Sequence, residues 1–199
     1  MLKIGLKAKL EKLDMLNSSD REEIQQWNTP MTEPVEQCVH SLFDSQVQSQ
    51  PAAPAVEASD GYATYGELDK TSTRLAHELR RQGVETGNPV VFIFEKSLYA
   101  IVAILAIVKA GGACVPIDKD DPKARKASIV STANAKVVLT SNAEYENSID
   151  LAPTVINVGD ESITALEEVH EPLDSGITPQ DLAYFIFTSG MPFGRREIR

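Results

Sequence analysis

Apolar positions along the chain change their period repeatedly, and each change marks an element. In VEQCVHSLFDSQVQSQ, Val35, Val39, Leu42 and Phe43 recur at helical spacing, and PAAP ends the predicted helix. PAVEASDGYATY then reads as two short strands joined at Asp60-Gly61, where Gly61 is expected to supply a positive φ. Thr64 and Glu67 follow in the T-x-x-E spacing of a capping box, so a helix starts there, with Leu68, Leu75 and Leu79 on one face and Gly83 at its end. Beyond it the pattern alternates. VVFIF, ACVPID, AKVVLT, PTVINV and LAYFIFT are strand runs. Between them lie three helical segments: SLYAIVAILAIVKAG closed by Gly111, DPKARKASIVSTAN with Pro122 in its first turn, and SITALEEVH. Val- and Ile-rich strands separated by helices imply an α/β fold, a layered and mostly parallel sheet with helices on both faces.

The polar stretch NSSDREEIQQWNTPMTEP, with capping residues, a short helix and Pro punctuation, separates a linker over residues 1–36 from an α/β region over 37–199. In MLKIGLKAKLEKLDML, Lys7, Lys9 and Lys12 interrupt the apolar run a secretory signal needs, and Glu11 and Asp14 are foreign to a transit peptide. A piece of helix is the expectation. The longest apolar run, AIVAILAIV, is too short to span a bilayer. The chain reads as soluble and cytoplasmic, with no membrane partner.

Charge narrows the partners further. With 29 acidic against 19 basic residues the net charge is -10, which argues against nucleic acid and acidic lipid. Cys38 and Cys114, and His40, His77 and His170, fall in no paired spacing, so neither a disulfide framework nor a metal site is expected.

In parallel sheets ligands sit beyond the carboxyl ends of the strands. LAYFIFTSG therefore places Thr188, Ser189 and Gly190 where a ligand turn belongs, and two hydroxyls with a glycine N–H suit phosphate oxygens. Thr-Ser-Gly is also common in ordinary loops, so the residues alone leave an incidental turn open.

YATYGELD, IVAILAIVKAGGACVPID and LAYFIFTSG stand in the order and approximate spacing of three motifs of the adenylation domains of nonribosomal peptide synthetases, in the acyl-adenylate-forming superfamily. The stretch LNSSDREEIQQWN with VEQCVHSLFDSQVQSQPAAPAV resembles the segment joining a condensation domain to an adenylation domain in fungal synthetases. The resemblance runs from about Leu13 to Gly190. It implies activation of an amino acid with ATP and Mg, followed by transfer to the phosphopantetheine thiol of a carrier domain. It also implies that Thr188, Ser189 and Gly190 open the loop gripping the ATP phosphates, while the first two motifs are structural: Gly111 and Gly112 end a helix and allow close packing, and Pro116 and Asp118 shape a turn.

The likeness fails after Gly190. The family continues in the style Thr-Ser-Gly-Ser-Thr-Gly-Lys-Pro-Lys-Gly, whereas Met191-Pro192-Phe193-Gly194 follows here, with Met191 and Phe193 in basic positions and Arg195 and Arg196 beyond the loop. The expected protein is an adenylation domain truncated in its phosphate loop, with no catalytic residue of its own and inactive alone. AYFIFT is expected to be an unpaired strand that lowers stability, and MPFGRREIR to form no strand. Two alternatives stand beside this reading: a non-catalytic module docking on an intact synthetase, and an unrelated small α/β binding domain.

Overall fold

A computed structural model describes residues 16–28, 35–169, 171 and 173–187, and the backbone of 195–198. Its compact units are Met1–Glu36 and Gln37–Arg199. The first contains helix α1 (Ser18–Trp27), started by a capping box in which Asp20 N–H donates to Asn17 Oδ1 at 2.9 Å and Asn17 N–H donates back to Asp20. No α1 residue is buried, and Ile24 and Trp27 are exposed.

The second unit opens with α2 (Val39–Ser49). Its apolar spacing predicted a core-facing stripe, but Val39 and Leu42 are exposed and only Phe43 packs inward, tilted against Tyr65 with ring centroids 5.9 Å apart. Strands β1 (Pro54–Ala58) and β2 (Gly61–Thr64) form the antiparallel hairpin. Gly61 does not have the expected positive φ. Close packing explains the glycine instead, because a Cβ there meets Leu98 Cδ2 at 3.2 Å. The neighbouring Asp60 carboxylate accepts from the Leu98 N–H at 2.8 Å, fastening the hairpin to the start of α4 (Leu98–Lys109).

The capping box forms as read. Glu67 N–H donates to Thr64 Oγ1 at 3.3 Å, and the Glu67 carboxylate accepts from Thr64 N–H at 2.9 Å, starting α3 (Tyr65–Arg81). Those bonds hold the Glu67 carboxyl below its ordinary range. Leu68, Leu75 and Leu79 are buried together, and Gly83, at φ +83°, turns the chain away.

The sheet contains β3 (Pro89–Ile93), β4 (Ala113–Pro116), β5 (Val137–Thr140), β6 (Thr154–Asn157), β7 (Tyr184–Phe187) and β8 (Arg195–Ile198). Their spatial order is β6-β5-β3-β4-β7-β8, and only the β7–β8 pairing is antiparallel. The tail therefore does contain a strand, and β7 is paired on both sides, correcting both expectations from the sequence. Backbone hydrogen bonding decides this: a short charged run with weak apolar signal still pairs wherever a neighbouring strand offers unfilled donors and acceptors. The β4 side is thin, with Cys114 opposite Tyr184 and the Cys114 N–H donating to Ala183 O at 2.9 Å.

One core, of α3, α4 and the α7 residue Ile163, covers one face of the sheet. The other uses Ile129, Val130 and Ala133 of α5 (Lys123–Ala133), with Leu151. Two short helices complete the unit, α6 (Tyr145–Ser148) and α7 (Asp160–Thr164). Of the described residues of SITALEEVH, only Ser162–Thr164 are helical. The described residues between 166 and 175 tie as a strap to α3, with Arg74 to Glu168 at 2.7 Å, Arg81 to Glu167 at 3.2 Å and Arg80 to Ser175 O at 3.3 Å.

Candidate functional site

Every connection that leaves a parallel strand at its carboxyl end passes over one edge of the sheet. Here that edge gathers Phe94–Ser97 after β3, Ile117–Asp121 after β4, Ser141–Glu144 after β5 and Gly159 after β6. Strand β7 runs parallel to β4, so its carboxyl end at Phe187 stands at the same edge. Thr188, Ser189 and Gly190 lie outside the described residues, and what the structure establishes is the frame formed by the carboxyl ends of the strands.

That frame is cross-tied by charge. Ser141 Oγ donates to Glu95 Oε2 at 2.7 Å, linking the ends of β5 and β3. Lys126, buried in the first turns of α5, donates to the Lys119 carbonyl at 2.6 Å and to Glu144 Oε2 at 3.2 Å. The turn after β4 also ties itself, Asp118 accepting from Asp120 N–H at 2.9 Å. Around it Lys119 pairs with Asp120, Arg125 with Asp121 and Lys123 with Asp150. Beside the edge, a cleft of about 750 Å³ lies between hairpin and sheet, lined by Val56, Phe92, Phe94, Lys96 and Ile101.

Toward the opposite edge lies a cavity of about 540 Å³ under α2, α3 and α4. Lys109 lines it, donating to Asp69 Oδ1 at 2.6 Å, Ser72 Oγ at 2.9 Å and Thr73 Oγ1 at 2.9 Å, with Phe43's ring 5.2 Å away. Burial lowers the pKa of His40 and raises that of Asp44 there. Lys109 ends α4, where the chain returns to begin β4, so this cavity sits away from the carboxyl edge.

The glycines of KAGGACVPID are structural: Gly111 adopts φ +85°, and a Cβ on Gly112 meets Ile107, Val84 and Val90 within 3.2 Å. Cys114 is buried, which pushes its thiol up to about 12, and neither it nor Cys38 forms a disulfide. Among the described residues no three His, Cys, Asp or Glu side chains converge as metal ligands. No helix among them is long and apolar enough to cross a membrane. Sequence reasoning missed Lys126, Glu144, Glu95 and Ser141. One signal was available for Lys126, which falls in the helical stripe of Ile129, Val130 and Ala133 where an apolar residue belongs.

Comparison with known proteins agrees with this geometry. Residues 43–191 match the model of the AMP-binding enzyme family. The chain is 40% identical over 92% of its length to the nonribosomal peptide synthetase valB of Aspergillus terreus, of which it spans 7%. It is 43% identical over 89% of its length to the nonribosomal peptide synthetase AMT10 of Alternaria alternata, of which it spans 20%. Among solved structures, the nonribosomal peptide synthetase FmoA3 superposes with a TM-score of 0.78 at 30% identity, over 94% of this chain and 19% of that one. The amino-terminal subdomain of Klebsiella oxytoca NpsA shares the fold at 21% identity and a TM-score of 0.67, over 82% of this chain and 41% of that one. With the parallel sheet, its strand order and its two helical layers in place, the chain belongs to the AMP-binding enzyme family, as a partial adenylation domain of nonribosomal peptide synthetase type.

Proposed function

We propose that the chain contributes the phosphate-facing edge of an amino-acid-adenylating site, with Thr188, Ser189 and Gly190 opening the turn that receives the ATP phosphates. The observation that carries this reading is the position of β7: it lies within the parallel sheet beside β4, and its carboxyl end runs into those residues. A structure of FmoA3 with AMPPNP bound supports ATP as the nucleotide. ATP supplies the adenylyl group, with pyrophosphate leaving; an amino acid and a phosphopantetheine carrier domain are the other reactants.

The donor chemistry suits the phosphates. Two hydroxyls and successive backbone N–H groups donate to phosphate oxygens without needing a side-chain cation. This matters because Lys119, Lys123, Arg125 and Lys126 at the edge are already paired with carboxylates. The same pairing argues against magnesium on the described residues: Asp120 and Asp121 hold cations, and Asp118 caps its own turn.

Residues 1–36 act as a linker ahead of the adenylation region 37–199. The test is an amide NMR titration of the chain with AMPPNP. Shifts are expected at Thr188, Ser189 and Gly190 and in the turn after β4, weakened in a Thr188→Ala/Ser189→Ala variant. Shifts confined to the amino-edge cavity around Lys109 contradict the reading.

A further inference from the structure

Lys126 is the observation that the proposed function does not absorb. It occupies the first position of the α5 stripe continued by Ile129, Val130 and Ala133, and only 4% of it is exposed. An apolar side chain suits such a place, because burying an ammonium costs several kcal/mol unless hydrogen bonds and counter-charge offset it. The offset comes from two different loops: the Lys119 carbonyl after β4 at 2.6 Å, and Glu144 after β5 at 3.2 Å. β4 and β5 are not neighbours, since β3 lies between them. One ammonium therefore spans the carboxyl end of β3 and ties together loops that no ladder connects.

Ser141, three residues before Glu144, completes the arrangement by donating to Glu95 at the end of β3 at 2.7 Å. The ends of three strands are thus held by three charge-assisted hydrogen bonds, and β4 is the one of the three that adjoins β7. From this we infer that Lys126 is a positioning residue: its buried ammonium fixes the turn Asp118–Asp121 at the edge of the sheet where β7 ends. The inference rests on the proposed function for its purpose, though the clamp itself is measurable without any nucleotide.

The test uses the 199-residue chain with Lys126→Met, which keeps the length of the apolar stem and removes the charge, and Lys126→Arg, which keeps the charge. Amide exchange without nucleotide is read first. In the Met variant, amides of Lys119, Asp120 and Asp121 are expected to exchange about tenfold faster, equivalent to ~1.4 kcal/mol of local stability, while Val91 and Val138 in the inner strands keep their rates. The dissociation constant for AMPPNP, from the amide titration, is expected to rise about tenfold in the Met variant and to recover in the Arg variant. Should Lys126→Met fail to fold, Glu144→Gln loosens the same loops from the more exposed side and serves in its place.

Unchanged loop exchange overturns the clamp, whatever the nucleotide does. Faster loop exchange with unchanged affinity overturns the positioning role. A wild-type chain whose phosphate turn ignores AMPPNP overturns the reading beneath it, and the exchange data then still decide whether the clamp exists.

Discussion

The two edges of the sheet each carry a buried lysine, and the contrast between them separates architecture from function. Lys109, at the amino edge, finds Asp69, Ser72 and Thr73 on a single helix, α3. It joins helix to helix and leaves the loops untouched. Lys126, at the carboxyl edge, holds a main-chain carbonyl and a carboxylate from two loops. Burial and charge are alike in the two, at 7% and 4% exposure, so neither identifies a functional lysine. What differs is the stiffness of the partners.

That contrast is broken or sharpened by substitution. Lys109→Met leaves the Asp69 carboxylate and two hydroxyls without their cation, and an unfolding loss of about 3–5 kcal/mol is expected in urea titration. Lys126→Met is expected to cost less, about 1.5–3 kcal/mol, because its loops relax toward water. Reversal of that order removes the distinction between the edges.

A chemical probe reaches the strand next to β7. Cys114 faces β7 through a single register pair, and its buried thiol, with a pKa near 12, is protonated at neutral pH. Iodoacetamide at pH 8 is expected to modify half-buried Cys38 first and Cys114 only on unfolding, as followed by mass spectrometry. Early loss of Cys114 means that β7 opens in the native state.

The smallest expected effect lies at the start of α3. Thr64→Ala removes one half of the capping box and is expected to cost about 1 kcal/mol. Its dependence on pH has a fixed sign. The folded pKa of Glu67 is lowered from an ordinary 4.5, so the carboxylate's contribution is full above that value and fades as pH falls through the lowered one. The gap between wild type and Thr64→Ala should therefore narrow in acid, as measured by thermal unfolding from pH 7 down to pH 3.

Much of the fold was legible because local signals and packing agree in the central sheet. Val90, Val91 and Ile93 lie in an unbroken apolar run and are fully buried, and Thr64 with Glu67 starts α3 as the spacing required. Agreement ends where tertiary contacts decide. The apolar positions of α2 predicted a buried face, yet Val39 and Leu42 stand in solvent while Phe43 alone reaches Lys109. Gly61 was read for conformation and proves to matter for its missing Cβ against Leu98. Helical pattern after Ile163 gave way to a strap because Arg74, Arg80 and Arg81 draw that stretch along α3. At the site, Thr188, Ser189 and Gly190 carry donor chemistry in the sequence and lie outside the described residues, whereas the clamp had no sequence signal beyond Lys126. Glu95, Lys126 and the Ser141–Glu144 loop are far apart in sequence, and only the placement of β4 and β5 on either side of β3 brings them to one edge.

The most direct measurement of the central claim is amide hydrogen exchange of the chain with and without AMPPNP. The account predicts slowed exchange in the residues after β7 and in the turn Asp118–Asp121, with Asp69–Thr73 at the amino edge unchanged. Protection at Asp69–Thr73 with the carboxyl edge unaffected contradicts it.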